Sequence, residues 1–341
     1  MKNRITRVAA LALLAPIAAG AQTQVTGAGA SFPYPIYGKW ISTFQTAKPN
    51  VQINYQPVGS GAGIRQVTDG IVDFGATDGP MNDTQLAEFK TKRGSDVLHI
   101  PTVLGAVVPI YNLPSVTAPL RFSGEALAGI FLGTITKWND PIIAKANPGA
   151  KLPNADIIVV HRSDGSGTTF IFTDYLSKVS PAWLEKAGRG NSVNWPVGLG
   201  GAQNAGVAAA VKQTEGAVGY VELIYALQNK ISYGVVQNAA GEFVSATLAS
   251  VSAAASGAVA NMPADFRVSI TNAPGKDAYP IASFTWLLIP TKIADPAKRT
   301  AIVDFVKWAL SDGQNLTESL SFGRLPPAVI AKELKALEQV K

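Results

Sequence analysis

The apolar residues of this chain change period repeatedly, from every second position to every third or fourth and back, and a Gly-rich polar turn stands at most of the changes. A strand needs the first period and a helix the second, so a chain that alternates them is expected to build an α/β protein. Residues 51–55 (VQINY) alternate as a half-buried strand does, and residues 72–76 form a short apolar strand. Residues 102–112 (TVLGAVVPIYN) are long and apolar enough for a central strand covered on both faces. Between these, Ile36, Tyr37, Trp40, Ile41 and Phe44 recur at helical spacing, as do Ile64, Val67 and Ile71. A second unit begins near Leu113-Pro114. In it Ser123 is placed to cap a helix reaching Phe131, Asp140-Pro141 marks a turn before a short helix, and residues 157–160 and 218–221 read as strands. Residues 283–289 (SFTWLLI) read as a buried strand. Ile302, Phe305, Val306, Ala309 and Leu310 give an amphipathic helix that Gly313 is expected to stop, and a last helix follows Pro326-Pro327. Residues 238–259 are rich in Gly, Ala and Ser and carry too little periodicity to assign. The 341 residues suffice for two lobes, each with its own core.

The N-terminus reads as a cleaved leader. Lys2, Arg4 and Arg7 precede an apolar run over residues 8–19, and Ala19-Gly20-Ala21 before Gln22 has the small-residue pattern of a signal-peptidase site. The run is shorter than the ~20 residues of a membrane span, and no cysteine follows to take a lipid. The expectation is a mature protein free in the bacterial periplasm. The chain has no cysteine at all, which excludes disulfides, thiolate metal sites and cysteine nucleophiles. Its formal charge is +6, from 29 Lys+Arg against 23 Asp+Glu, and loss of the three leader cations takes it to +3. Without any Lys/Arg run, that balance predicts no nucleic-acid partner. The most membrane-like stretch of the mature chain, residues 248–264, is Ala, Ser, Val and Gly with too little bulk to insert, and reads as a surface helix or loop.

Polar chemistry concentrates in three turns of one design, small hydroxyl and glycine residues set immediately before a helix. They are Gly27-Ala28-Gly29-Ala30-Ser31-Phe32-Pro33, with Ser31 as cap or donor; Gly59-Ser60-Gly61-Ala62-Gly63; and Arg162-Ser163-Asp164-Gly165-Ser166-Gly167-Thr168-Thr169. A helix start offers free N–H groups and a partial positive charge, and here each adds hydroxyl donors. One such turn is most simply a helix cap. Three of them with one arginine describe a cradle for a small oxyanion. Arg162 can hydrogen-bond two oxygens of a tetrahedral anion, and Asp164 is its natural partner. Asp78, after the strand at 72–76, would stand at a strand C-terminal edge, where α/β sheets bind ligands. A carboxylate aimed at an anion is repulsive unless the anion carries a proton, as phosphate does at neutral pH and sulfate does not. Two roles for Asp78 are open at this point, acceptor of that proton or cap of the following turn.

Catalytic patterns are missing. Gly165-Ser166-Gly167 has Asp164 and Thr168 where a nucleophile elbow needs glycines. The two histidines, His99 and His161, lie in no catalytic motif and read as structural. No Gly-rich turn completes a nucleotide fingerprint, and no metal-ligand spacing occurs.

The sequence closely resembles the periplasmic phosphate-binding proteins of Pst-type ABC transporters over essentially the whole mature chain. The resemblance rests on residues 26–37 (TGAGASFPYPIY), 72–78 (VDFGATD), 130–140 (IFLGTITKWND), 162–170 (RSDGSGTTF), 195–201 (WPVGLGG) and 216–222 (GAVGYVE). It implies a class II periplasmic-binding fold, two α/β lobes joined by two crossovers near Asn112 and near residues 281–283. Lobe I would be residues 22–112 plus 283–341, with residues 113–282 forming lobe II. It further implies that Ser31, Phe32, Ser60, Asp78, Arg162, Ser166, Gly167 and Thr168 hold inorganic phosphate, with Asp164 supporting Arg162. Ser31 stands where the family often has Thr, which keeps the hydroxyl. Gly61-Ala62-Gly63 replaces a more usual Ser-Gly-Gly, which keeps Ser60 but no second hydroxyl. The implied function is a monomeric receptor, not an enzyme, without metal or cofactor, that delivers phosphate to an inner-membrane ABC permease. The alternatives are a receptor for another protonated oxyanion such as arsenate and a phosphomonoesterase using Ser166.

Overall fold

In the computed structural model, which describes residues 22–341, the chain builds its cradle on one nine-stranded mixed sheet. The leader expected at residues 1–21 lies outside the described residues. Thr23–Gly29 pairs in parallel with Val51–Gln56 on one side and with Phe74–Thr77 on the other. Ala282–Pro290 then runs antiparallel to Phe74–Thr77 and to the first part of Val97–Tyr111. The second part of Val97–Tyr111 pairs with Ala217–Glu222, and the sheet continues through Ile158–Arg162 to the edge strand Leu199–Gly201. Val97–Tyr111 therefore belongs to both halves of the sheet, and from His99 onward every residue of it is buried. This is the central strand read at 102–112, begun five residues earlier. Pro101 hid that start, because proline gives a strand no ladder N–H. It is accommodated beside a register shift in which Thr285 and Trp286 face Val103 and Pro101, leaving Thr102 as the extra residue.

The expected helices form where their faces and caps put them. Tyr34–Ala47 buries Ile36, Tyr37, Trp40 and Phe44. Gly124–Leu132 is capped by Ser123 and closed by Gly133 in the left-handed region (φ 75°). Three details depart from the sequence reading. The Ser60–Thr68 helix ends before Ile71, which is 68% exposed instead of continuing the apolar face of Ile64 and Val67. The Pro296–Ala309 helix closes at Leu310 without a glycine. Gly313 serves packing instead: its carbonyl accepts from Trp40 Nε1 at 2.7 Å, and a Cβ there would stand 3.1 Å from that ring nitrogen. Within the unassigned stretch 238–259, Leu248–Ala260 is a helix, started by a capping box in which Thr247 and Ser250 satisfy each other's backbone N–H groups. No helix among the described residues is long and apolar enough to cross a membrane.

Candidate functional site

The first turn follows Thr23–Gly29, where Gly29 takes φ 150° and presses so close to its neighbour that a Cβ would meet the Ala76 carbonyl. The chain then delivers Ser31 and Phe32 to the interior, 3% and 0% exposed. Ser31 does not cap the next helix, whose N-cap is Pro33. Its Oγ accepts from Asn204 Nδ2 at 3.0 Å, and its carbonyl accepts from the Tyr225 hydroxyl at 2.6 Å. Phe32 packs against Phe322, and a Cβ on Gly105 would strike its ring.

Gly59, at φ 93°, turns the second segment into the Ser60–Thr68 helix. Ser60 is fully buried, and its Oγ accepts from the Asp78 N–H at 3.2 Å. The first and third turns reach the second directly. The Gly59 N–H donates to Gly29 O at 2.8 Å, and the Gly61 N–H donates to Gly165 O at 2.9 Å. One of the helix-start N–H groups available to an anion is thus already used.

In the third turn Ser166 caps its own helix, Oγ accepting from the Thr169 N–H at 3.0 Å. Gly167 is the point of tightest approach: a Cβ there would lie 2.5 Å from Ser60 Oγ and 2.6 Å from the Asp78 backbone N. Arg162 is clamped by Asp164, Nε donating to Oδ1 at 2.8 Å and Nη2 to Oδ2 at 2.5 Å, while Nη1 reaches Thr168 Oγ1 at 3.4 Å. Burial pushes the Asp164 carboxyl up, but the Arg162 guanidinium and the Gln203 N–H outweigh it and hold it below the ordinary carboxylate range. The ion pair leaves Arg162 one edge of its fork for a ligand.

Asp78 is 1% exposed. Its Oδ1 accepts from Thr285 Oγ1 at 2.7 Å, and its Oδ2 has only a long 3.5 Å approach from Ser60 Oγ. No backbone N–H of the following turn donates to this carboxylate among the described residues; the next helix is capped by Asn82. Burial pushes the carboxyl up to about 7, against the Thr285 bond, the Arg162 charge and the Ser60 contact, which all pull it down. All eight residues singled out for the anion therefore lie in one buried region where the three turns meet the end of Phe74–Thr77, with Asp164 half-buried at its edge.

Two further residues belong to the same network and escaped the sequence reading. Thr285 sits inside an apolar strand and looked like core; strand pairing alone brings it to Asp78. Asn204, fully buried near the start of the Gln203–Gln213 helix, joins Ser31, Thr168 and the Glu222 backbone. Its only signal was the Gly200-Gly201 pair just before it. Neither histidine touches the polar side chains of this network, although His161 Nδ1 lies 3.0 Å from the Arg162 carbonyl. His161 stacks on Trp195 with ring centroids 4.8 Å apart. Buried His99 accepts from the Met81 N–H at 3.1 Å, and burial, with Arg267 nearby, lowers it to about 3. The described residues contain no cluster of three or more metal-ligating side chains, and a surface groove lined by Phe266, Arg299 and Lys332 among others shares no residue with the cradle.

Hydroxyls, one clamped arginine and one buried carboxylate, gathered where two halves of an α/β sheet meet, define a ligand receptor of the periplasmic-binding class, two lobes joined by a two-crossover hinge. Residues 15–313 match the family model of a PBP superfamily domain. The chain is 47% identical over 314 residues to the phosphate-binding protein PstS of Xylella fastidiosa strain Temecula1, covering 92% of this chain and 84% of that one. It is likewise 47% identical over 313 residues to PstS of Pasteurella multocida, covering 92% and 89%. The chain belongs to the PstS family of phosphate-binding proteins. Its fold is also that of more distant solved structures. A phosphate-binding protein from Stenotrophomonas maltophilia superposes with TM-score 0.71 at 20% identity, covering 92% and 94% of the two chains. A high-affinity periplasmic phosphate-binding protein, PfluDING, solved with phosphate bound, gives 0.70 at 22% identity, covering 91% and 92%.

Proposed function

We propose that this protein captures inorganic phosphate between two lobes in the periplasm and delivers it to the permease of an ABC importer, performing no chemistry on it. The observation that carries the reading is Asp78: a buried carboxylate with one oxygen held by Thr285 and the other free of any strong donor, facing hydroxyls and an arginine. Such a group suits an anion that still carries a proton. Ser31, Ser60, Ser166 and Thr168 would donate hydroxyls, Phe32 and Gly167 backbone N–H groups, and Arg162 its remaining edge, with Asp164 keeping the guanidinium oriented. The lobes would be residues 22–112 plus 283–341 and residues 113–282. Closure would then be a hinge motion about Val97–Tyr111 and Ala282–Pro290, driven by ligand contacts made only when both lobes engage. The mature chain is taken to start at Gln22 and to act as a monomer, and arsenate, with the same geometry and proton, would enter the same cradle.

A phosphomonoesterase has less support. Ser166 Oγ is engaged as a helix cap, and neither histidine hydrogen-bonds to it among the described residues: His161 pairs with the Arg162 carbonyl and His99 with the Met81 N–H. Equilibrium dialysis of the mature protein, freed of endogenous anion, against labelled phosphate tests the receptor reading. One saturable site with no turnover of a phosphomonoester is expected; absence of saturable binding, or hydrolysis lost in Ser166→Ala, overturns it.

A further inference from the structure

Asn204 holds a position that the proposed ligand contacts do not account for. Its side-chain amide can be oriented without ambiguity, because the Glu222 backbone N–H, 2.9 Å away, can only donate. The atom facing it must be Oδ1, so the other arm is the NH₂ group. That group donates to Ser31 Oγ at 3.0 Å and to Thr168 Oγ1 at 3.1 Å, one hydroxyl from each half of the sheet. A second donor approaches each oxygen, the Asn204 N–H at 3.4 Å for Ser31 and Arg162 Nη1 at 3.4 Å for Thr168. Both hydroxyl oxygens are thereby used as acceptors. A hydroxyl in that state has one thing left to give, its own proton.

We propose that Asn204 is a positioning residue that locks the Ser31 and Thr168 hydroxyls as donors toward the bound oxyanion and ties this orientation to lobe closure. It need not touch the anion. The inference rests on the phosphate reading above and adds a specific polarity to it: the cradle is donor-only at these two positions because one amide occupies both acceptors. Thr168 lies in the same lobe as Asn204, so its orientation is prepared before binding and costs nothing then, while that of Ser31 is completed as the lobes close.

The consequence separates a polarity role from a packing role. Asn204→Asp keeps size and shape but replaces NH₂ by an acceptor, so the two hydroxyls would turn inward to donate to it and present lone pairs to the anion. Asn204→Ala leaves both hydroxyls free to rotate. If Asn204 only fills space, the near-isosteric Asp variant binds phosphate better than the Ala variant. The proposal predicts the reverse: about a tenfold loss for Ala and at least about a hundredfold for Asp, the range expected when hydrogen bonds to a charged group are lost or reversed. The charge introduced by Asn204→Asp would itself repel the anion, so the same pair of substitutions is made in Ser31→Ala. With one of the captured hydroxyls gone, the excess loss of Asp over Ala shrinks; pure charge repulsion leaves it unchanged. Thermal unfolding of the ligand-free variants checks that each is folded, and Asn204→Ser supplies a small hydroxyl in place of the amide if Asp fails to fold, with a loss no greater than that of Ala expected. Failure of the wild type to bind phosphate would overturn the receptor reading. A wild type that binds, with Asp equal to or better than Ala or with an excess loss unchanged by Ser31→Ala, would overturn the proposal about Asn204.

Discussion

A carboxylate kept for its ability to accept a ligand's proton should cost the ligand-free fold something, and Asp78→Asn measures how much. The carboxyl is fully buried and pushed from an ordinary value of 3.8 to about 7. Between those values the folded state holds a proton that the unfolded state has released, so stability falls as pH rises from about 4 to about 7 and is level above that. At about 1.4 kcal/mol per unit, the full span of roughly three units gives a penalty of about 4 kcal/mol at neutral pH. Asparagine carries no such penalty. Its carbonyl can keep the Thr285 bond, and its NH₂ would face Ser60 Oγ, which is placed to accept. The ligand-free Asp78→Asn variant should therefore be the more stable protein at pH 7 by up to about 4 kcal/mol, an increase in melting temperature of about 6 °C at ~2 cal/mol/K per residue. The advantage should vanish by about pH 4. The assay is scanning calorimetry of anion-free wild type and variant from pH 4 to pH 8. A difference that is constant across that range, or a less stable variant at pH 7, would refute the assignment of a strained, ionisable acceptor at this position.

Three other perturbations have definite outcomes. Arg162→Ala strands Asp164 and removes the buried guanidinium of the cradle, so phosphate and arsenate affinities should both fall at least about a hundredfold with their ratio unchanged; competitive titration checks this. Gly167→Ala puts a methyl 2.5–2.6 Å from Ser60 and from the Asp78 backbone, which only separation of the turns relieves. Phosphate affinity should drop about tenfold or more while the ligand-free melting temperature stays near wild type, as titration and calorimetry on one preparation would show. Glu333, away from the cradle, is fully buried with both carboxyl oxygens unpartnered, and burial alone holds it well above its ordinary range. Glu333→Leu should stabilise the protein by about 1–3 kcal/mol, with the gain growing as pH rises above about 4.5, readable by urea unfolding at pH 5 and pH 8.

The strands and helices that could be read from the sequence are those whose reason is local. The apolar run after Pro101, the alternation at 51–55 and the Ser123 and Asp140 caps each state their conformation within a few residues. Gly313 misled because what decides it is a tryptophan 273 positions distant, and Ile71 because the helix stops three residues short of it, at Thr68. The cradle divides in the same way. Its turns were legible because glycine and serine before a helix have a local meaning, and the Arg162–Asp164 pair because two residues suffice to form it. Ser31 was visible, but its bond was not, since Asn204 lies 173 positions from it and 36 from Thr168. Thr285 was hidden by its setting, a hydroxyl in the strand SFTWLLI that becomes a partner for Asp78 only through pairing between Ala282–Pro290 and Phe74–Thr77. Positions that connect turns distant in sequence acquire their chemistry from topology, and no local pattern marks them.

The central claim is that Asp78 selects an anion by its proton, and calorimetric titration of wild type and Asp78→Asn with phosphate and with sulfate in separate cells at pH 8, above the value to which burial raises Asp78, tests it most directly. The account predicts one-to-one phosphate binding and no sulfate signal for wild type, with sulfate binding appearing in the Asn variant, whose NH₂ donates where the carboxylate repelled. Sulfate binding by wild type, or a phosphate-to-sulfate ratio that the substitution leaves unchanged, would contradict it.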